Sequence, residues 1–248
     1  MNYDKTADSG SRGSERVQIE LLRPHEIEAA LRECSTVYLP LGSIEWHCAH
    51  LPVGLDGLTA HGVCVHAAVD HGGLVYPALY FGTGGGHSHY PWTVMMARDD
   101  QIRALIEHAL VRLADFGVRR VVLFSGHFAP AQLDMIAELA AEWNGCGHDM
   151  KVIARGINMV EGLPIGPDHA GVFETTMLYA LRPDRVDLGQ LAAFDLDHPS
   201  NDDFEESRHD PSHPLWGVFG PDPRRFDPQL APALLAGAAA WLAAQAAY

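Results

Sequence analysis

The sequence predicts an α/β fold, a mostly parallel sheet covered on both faces by helices. Strand-like runs alternate with longer helical runs, the order expected of βαβ units. The length, 248 residues, also suits one large domain better than two small ones and leaves ample chain for a core.

The elements follow in order. Residues 1–16 form an expected disordered arm, because Met1 to Glu15 is polar and Ser/Gly-rich and has no hydrophobic segment of signal-peptide type. Residues 17–248 form the domain. Helical runs cover Pro24 to Arg32, Leu58 to Asp70, Arg98 to Phe116, Ala131 to Trp143 and Val172 to Leu181. Strand-like runs cover Thr36 to Leu41, Gly73 to Tyr80, Arg120 to Ser125 and Lys151 to Ile157. No internal repeat is visible. Asp195 to Pro214, rich in Asp, Glu, Pro, Ser and His, reads as a long surface loop, of the kind that serves as a lid or contact or is simply solvated. The terminal run Ala231 to Tyr248 is mostly alanine, a strong helix former but weakly hydrophobic. It reads as a helix packed on the domain or on a neighbouring subunit rather than as a membrane span.

Composition excludes some functions. A formal charge of −15 with few basic clusters argues against a nucleic-acid surface or an anionic membrane. Cys34, Cys48, Cys64 and Cys146 form no C-x-x-C pair, so reduced thiols in the cytoplasm are expected.

The chemistry concentrates beside strand ends. Glu45 and His47 follow the first strand, two residues apart, where extended backbone points both side chains the same way. Asp56 comes shortly after. Two carboxylates and an imidazole suit zinc, manganese or iron, although Glu and His at a strand end can also be merely solvated. His127 directly follows the strand ending at Ser125, at the carboxyl end where open α/β sheets place ligands. Asp168 to Thr176 opens a helix and carries His169 and Glu174. Three loops thus offer metal-type side chains. Gly84-Gly85-Gly86 lacks the Lys and Ser/Thr of a P-loop, so it reads as a flexible wall of the site.

These segments resemble the creatininase (creatinine amidohydrolase) family. The family pattern G-S-x-E-x-H-x-x-H-L-P-x-x-x-D corresponds to Gly42 to Asp56, and G-x-S-x-x-H-x-x-F-P-G-T to Gly82 to Thr93. N-G-H-G-G-N corresponds to Ser125 to Pro130, and H-A-G-x-x-E-T-S to His169 to Thr176. The likeness runs over about residues 17 to 245 and implies a three-layer α/β/α sandwich with its site at the strand carboxyl ends. Several positions depart from the pattern. Cys48-Ala49 stands for Gly-Pro, Gly84 for Ser, Trp92 for Gly, and Ser125 and Pro130 for the two asparagines. Ala129 stands where creatininase carries a glutamate ligand. These departures put creatinine itself in doubt as the substrate.

The resemblance implies two divalent ions, zinc, manganese or iron. Glu45 would bind one with His127, His47 the other, and Asp56 both; Glu174 is the candidate for the missing fifth ligand. A dipole-stabilised glutamate in the first turn of a helix is the competing reading of Glu174. Hydroxide formed at such ions attacks a polarised carbonyl, and His169 is the candidate to protonate the leaving group. His87, by its family position, touches substrate or supports the ligands. Trp46 and Trp92 are candidate flat walls for a small ring, with core packing as the alternative. His50 is expected to orient its loop. His61, His66 and His71 are expected in surface or packing roles, His89 exposed, and Cys48 in packing. The resemblance therefore implies a hydrolase opening a small cyclic amide. One alternative is hydrolytic C–C cleavage of a cyclic ketone such as an oxidised inositol; another is a non-catalytic binding protein on the same fold. A homo-oligomer, with a hexamer favoured, is expected.

Overall fold

The computed structural model describes residues 13–96, 98–193 and 207–247. Four parallel strands, β1 (Thr36–Leu41), β2 (Leu74–Val75), β3 (Arg120–Ser125) and β4 (Lys151–Gly156), form one sheet in the order β2-β1-β3-β4. Six α-helices accompany them: α1 (Pro24–Glu33), α2 (Leu55–His71), α3 (Asp99–Asp115), α4 (Pro130–Gly145), α5 (Val172–Leu181) and α6 (Ala231–Ala246).

Side-chain alternation along the strands divides the core in two. Val37, Leu39 and Leu41 of β1 join Val121 and Leu123 of β3 in a cluster with Ile102 and Ile106 of α3 and Met135 and Ile136 of α4. Tyr38, Val122 and Phe124 join the opposite cluster, with Val63 of α2, Phe173 of α5 and Leu234 of α6. The sheet is thus the middle of three layers. α6 turns Leu234, Leu235, Ala238, Ala239 and Leu242 into this second cluster, so its apolar face covers the domain's own core.

Two glycines bring the layers together where the site lies. Register pairs Leu41 with Ser125, so β1 and β3 end side by side. A Cβ on Gly42 would lie 2.2 Å from the Gly57 nitrogen, and one on Gly126 2.1 Å from the Asp56 carbonyl oxygen. Only glycine allows the first turn of α2 to sit directly on both strand ends.

Four expectations change. α2 begins at Leu55 rather than Leu58, which places Asp56 inside the helix. The β2 ladder is two residues long rather than spanning Gly73 to Tyr80, because Pro77 has no N–H to donate. A single bridge, Leu41 to Leu79, follows the interruption. Gly13 to Arg16, inside the expected arm, forms a helical turn; the rest of that arm lies outside the described residues. Of the expected loop at 195–214, residues 195–206 also lie outside them. Arg208, in its described part, is fully buried and donates to the Val218 carbonyl at 3.2 Å, where a surface loop was expected.

Candidate metal centre

Glu45, His47, Asp56, His127 and Glu174 converge above the carboxyl ends of β1 and β3, and all five are buried. Asp56 is central. Its Oδ1 lies 3.1 Å from His47 Nε2, and its Oδ2 3.3 Å from His127 Nδ1. Glu45 Oε2 is 3.0 Å from the same His127 nitrogen, and Glu174 Oε2 is 3.7 Å from His47 Nε2. Three three-residue groups lie close enough to hold a cation: Glu45–Asp56–His127 and His47–Asp56–Glu174, which share Asp56, and Glu45–His47–His169, whose third member is only half-buried.

The backbone sets the tautomer of each ring. His47 Nδ1 donates to the Glu45 carbonyl at 2.9 Å, and His127 Nε2 donates to the Thr83 carbonyl at 3.2 Å. A carbonyl only accepts, so in each neutral ring the lone pair sits on the other nitrogen, the one facing carboxylates. Acceptors then face acceptors in a buried site, an arrangement that requires a proton or a cation between them. Among the described residues His47 Nε2 has no hydrogen-bond partner. The N···O separations of 3.0 to 3.7 Å bracket the roughly 3.4 Å edge of a tetrahedron with zinc-type bonds of about 2.1 Å. The donor set fits a divalent cation in each of the two groups that share Asp56.

Electrostatics agree. Burial opposes charge on His47, yet Asp56, Glu174 and Glu45 outweigh it and raise the ring to about 10. Burial is likewise outweighed at His127 by Asp56 and Glu45, again to about 10. Burial and the neighbouring Asp56 and Asp168 charges hold Glu174 well above the usual carboxylate range. Asp56 lies well below that range, because the two imidazoles overcome its burial. The cluster draws positive charge strongly.

Some supporting residues carried no role in the sequence reading. The Ser43 hydroxyl donates to Asp56 Oδ2 at 2.6 Å. Asp168 accepts from the backbone N–H groups of Gly171 (3.1 Å), Phe173 (2.9 Å) and Glu174 (3.3 Å), capping α5. The Ala170 N–H donates to Glu174 Oε2 at 2.5 Å and aims that carboxylate inward. Ser43 lies two residues before Glu45 on the same extended stretch, and an aspartate ahead of a helix is a capping signal; both were readable.

A cavity of about 260 Å³ opens over the centre, lined by Glu45, Asp56, His127, His169 and Glu174 on one side and by Gly85 and Phe128 to Pro130 on the other. His169 donates from Nε2 to the Trp46 carbonyl at 3.1 Å, and its ring lies tilted against that of His47 with centroids 4.5 Å apart. Gly85 supplies the expected glycine wall. The two tryptophans do not supply the flat walls expected of them. Trp92 is 79% exposed at φ 59° and is not among the residues that line the cavity. Trp46 packs on Trp216 at 5.6 Å and donates to its carbonyl. The His87 side chain lies outside the described residues. His50 is buried, bonds the Thr175 hydroxyl at 3.0 Å and falls to about 3 through burial and the His47 charge, so it braces rather than ligates. Cys48 packs with Leu51 and Leu55, and His66 and His71 are exposed.

Known proteins give the same frame. The family model described as Creatininase, creatinine amidohydrolase, matches residues 20–246. A creatinine amidohydrolase from Pseudomonas putida is 29% identical over 224 residues, 82% of this chain and 80% of that protein. A mycofactocin precursor peptide peptidase from Mycolicibacterium smegmatis is 28% identical over 161 residues, 62% of this chain and 61% of its own. A crystal structure of creatinine amidohydrolase matches with a TM-score of 0.73 at 27% identity, over 92% of this chain and 95% of that one. A mutant creatininase of Zn–Zn type matches at 0.71 with 25% identity, over 92% and 96% of the two chains.

Proposed function

The chain belongs to the creatininase family, and on that premise we propose that it is a dinuclear metal-dependent hydrolase that opens a small cyclic amide. The family assignment carries metal-dependent amide hydrolysis at the coarse level. The dinuclear reading rests on one observation: the two oxygens of Asp56 face two separate His–Glu pairs. Glu45 and His127 would hold one ion, His47 and Glu174 the other, and Asp56 both. Glu174 takes the place that Ala129 leaves vacant. When bound, two divalent ions, zinc, manganese or iron, would lower the pKa of water towards neutrality and polarise a carbonyl.

The chain's own groups supply the rest. The Glu45 and Thr83 carbonyls fix the imidazole tautomers, so no reorganisation is needed on loading. His169, pinned through Nε2 by the Trp46 carbonyl, presents Nδ1 as its basic atom. It accepts a proton as water attacks and returns it to the departing nitrogen. Phe128, Ala129 and Pro130 close one side with apolar surface, and a volume of about 260 Å³ suits a single small ring.

Two relatives described as an amidohydrolase and a peptidase support C–N over C–C cleavage. The substitutions at Gly84, Trp92 and Ala129 speak against creatinine itself. A turnover screen of cyclic amides against cyclic diketones, with metal analysis of the same sample, tests the reading. Turnover of diketones alone would move the activity to C–C hydrolysis, and a metal-free, inert protein would leave a binding role. We place the protein in the cytoplasm, consistent with four free thiols. No described helix is long and apolar enough to cross a membrane. We also propose a homo-oligomer, with a hexamer favoured. Since α6 is committed to its own core, association would use other apolar surface, such as Trp92, Val94 and Phe81. Light scattering at about 27 kDa would exclude it.

A further inference from the structure

A second cavity, of about 220 Å³, adjoins the first and takes no part in the chemistry above. Gly85 lines the catalytic cavity and Gly86 the second, so only backbone without side chains separates them along this edge. On the other edge, His169 of the catalytic cavity is 6.0 Å from the Phe219 ring, and Phe219 is 4.8 Å from His209 of the second. Its walls are aromatic: Tyr90 and Trp216 lie 5.0 Å apart, and the Tyr90 hydroxyl bonds His209 Nδ1 at 3.2 Å.

The cleft is built into the fold. Gly217 adopts φ 80°, and a Cβ there would lie 2.8 Å from Trp46 Cδ1 and 3.0 Å from Tyr90 Cε1. A glycine is therefore required for the Trp46, Tyr90 and Trp216 rings to close on one another. Trp46 also ties this cluster to the catalytic residue, since its carbonyl accepts from His169. No carboxylate, lysine or arginine lines the cleft among the described residues. Beside Tyr90 and Trp216 the lining holds His89, His209 and Pro211, and its aromatic faces suit a flat group that stacks on them.

We propose that this cleft binds an aromatic substituent of the substrate, carried on the ring or acyl group whose amide bond is cleaved next door. The proposal rests on the amide-hydrolase reading for its link to chemistry, but the cleft itself does not depend on metal. Its occupant passes over Gly85 and Gly86 and stacks on Trp216, with His209 closing the edge.

The test measures affinities of methylhydantoin and benzylhydantoin by calorimetry, on metal-loaded and on chelator-treated protein. Benzylhydantoin is expected to bind about tenfold more tightly than methylhydantoin in both preparations, the worth of an added aromatic stack and its burial. Trp216→Ala should erase the preference and Trp216→Phe should restore most of it. His209→Ala, at an exposed position, should weaken it and so covers the case of a Trp216 variant that fails to fold. Equal affinities, no measurable binding of benzylhydantoin, or a preference unchanged in Trp216→Ala and His209→Ala would overturn the proposal. A preference that follows Trp216 in protein that neither holds metal nor turns over amides would uphold the cleft and overturn only the amide-hydrolase reading.

Discussion

Replacing Asp56 by alanine tests the shared-ligand geometry directly. The carboxylate meets His47 through one oxygen and His127 through the other, at 3.1 and 3.3 Å. Its removal leaves each group with two protein donors, so both ions should be lost together. Glu45→Ala touches only the His127 group, and Glu174→Ala only the His47 group. At free metal 100-fold above Kd, each occupied site stabilises the folded state by about 2.7 kcal/mol. For a chain of this size about 1 kcal/mol moves Tm by roughly 2–4 °C. Metal should therefore raise the Tm of wild-type protein by about 10–20 °C, of either glutamate variant by about half that, and of Asp56→Ala by almost nothing. Taking the shift on adding metal, rather than Tm itself, removes the effect of each substitution on the metal-free fold. Elemental analysis of the same samples should give two, one, one and no ions. An Asp56→Ala protein that keeps one ion, or matches Glu45→Ala in its thermal response, would refute the bridging role.

Three further outcomes are expected. His169→Ala should keep its metal and fold while turnover falls about 10²–10⁴-fold; full activity would reduce His169 to a structural residue. In chelator-treated protein, His47 and His127 are raised from 6.5 to about 10, so their contribution to stability is complete below pH 6.5 and lost as pH rises towards 10. Thermal melts should show that decline, and added metal should oppose it because ligation needs the deprotonated rings; a flat profile would contradict the electrostatic account. Gly126→Ala places a methyl 2.1 Å from the Asp56 carbonyl oxygen, with only backbone to yield. Its cost should reach about 2–3 kcal/mol or more, with reduced metal content, and a chemical denaturation midpoint equal to wild type would show that α2 is not held as described.

Where local pattern alone decides, the sequence was legible to the residue. Thr36–Leu41, Arg120–Ser125 and Val172–Leu181 have the expected bounds, since each is an apolar run ended by a turn or proline. α2 was read too short because Gly57 resembles a helix breaker; the Tyr80 ring, 2.3 Å from where its Cβ would lie, demands that glycine, and no local pattern reveals a contact so distant in sequence. Glu45, His47 and His127 are legible as ligand-type residues because two-residue spacing and strand ends set their direction, whereas Asp56 and Glu174 stand in the first turns of helices and rest on the family pattern. The same rule disposes of Trp46, which lies between Glu45 and His47 on extended backbone and faces away from them. Trp92 lies exposed on left-handed backbone at φ 59°, a conformation that no pattern in the sequence announces for a tryptophan. Trp216 went unnoticed for a similar reason: its meaning depends on Tyr90 and His209, which only the fold brings near.

The spread of the centre along the chain bears on how the molecule matures. Glu45, His47 and Asp56 come from the first β-α unit, His127 from just past the end of β3, and Glu174 from a helix that opens the last third of the sequence. A nascent chain that has paired β1 with β3 already has one complete three-residue group, Glu45, Asp56 and His127. The other group waits for α5 to dock and for Asp168 to cap it. Loading would then proceed in order, the first group filling during synthesis and the second only after the fold has closed. On the dinuclear reading, full metal content would thus mark a chain whose α5 has docked, and a chain cut before α5 could fill the first group alone.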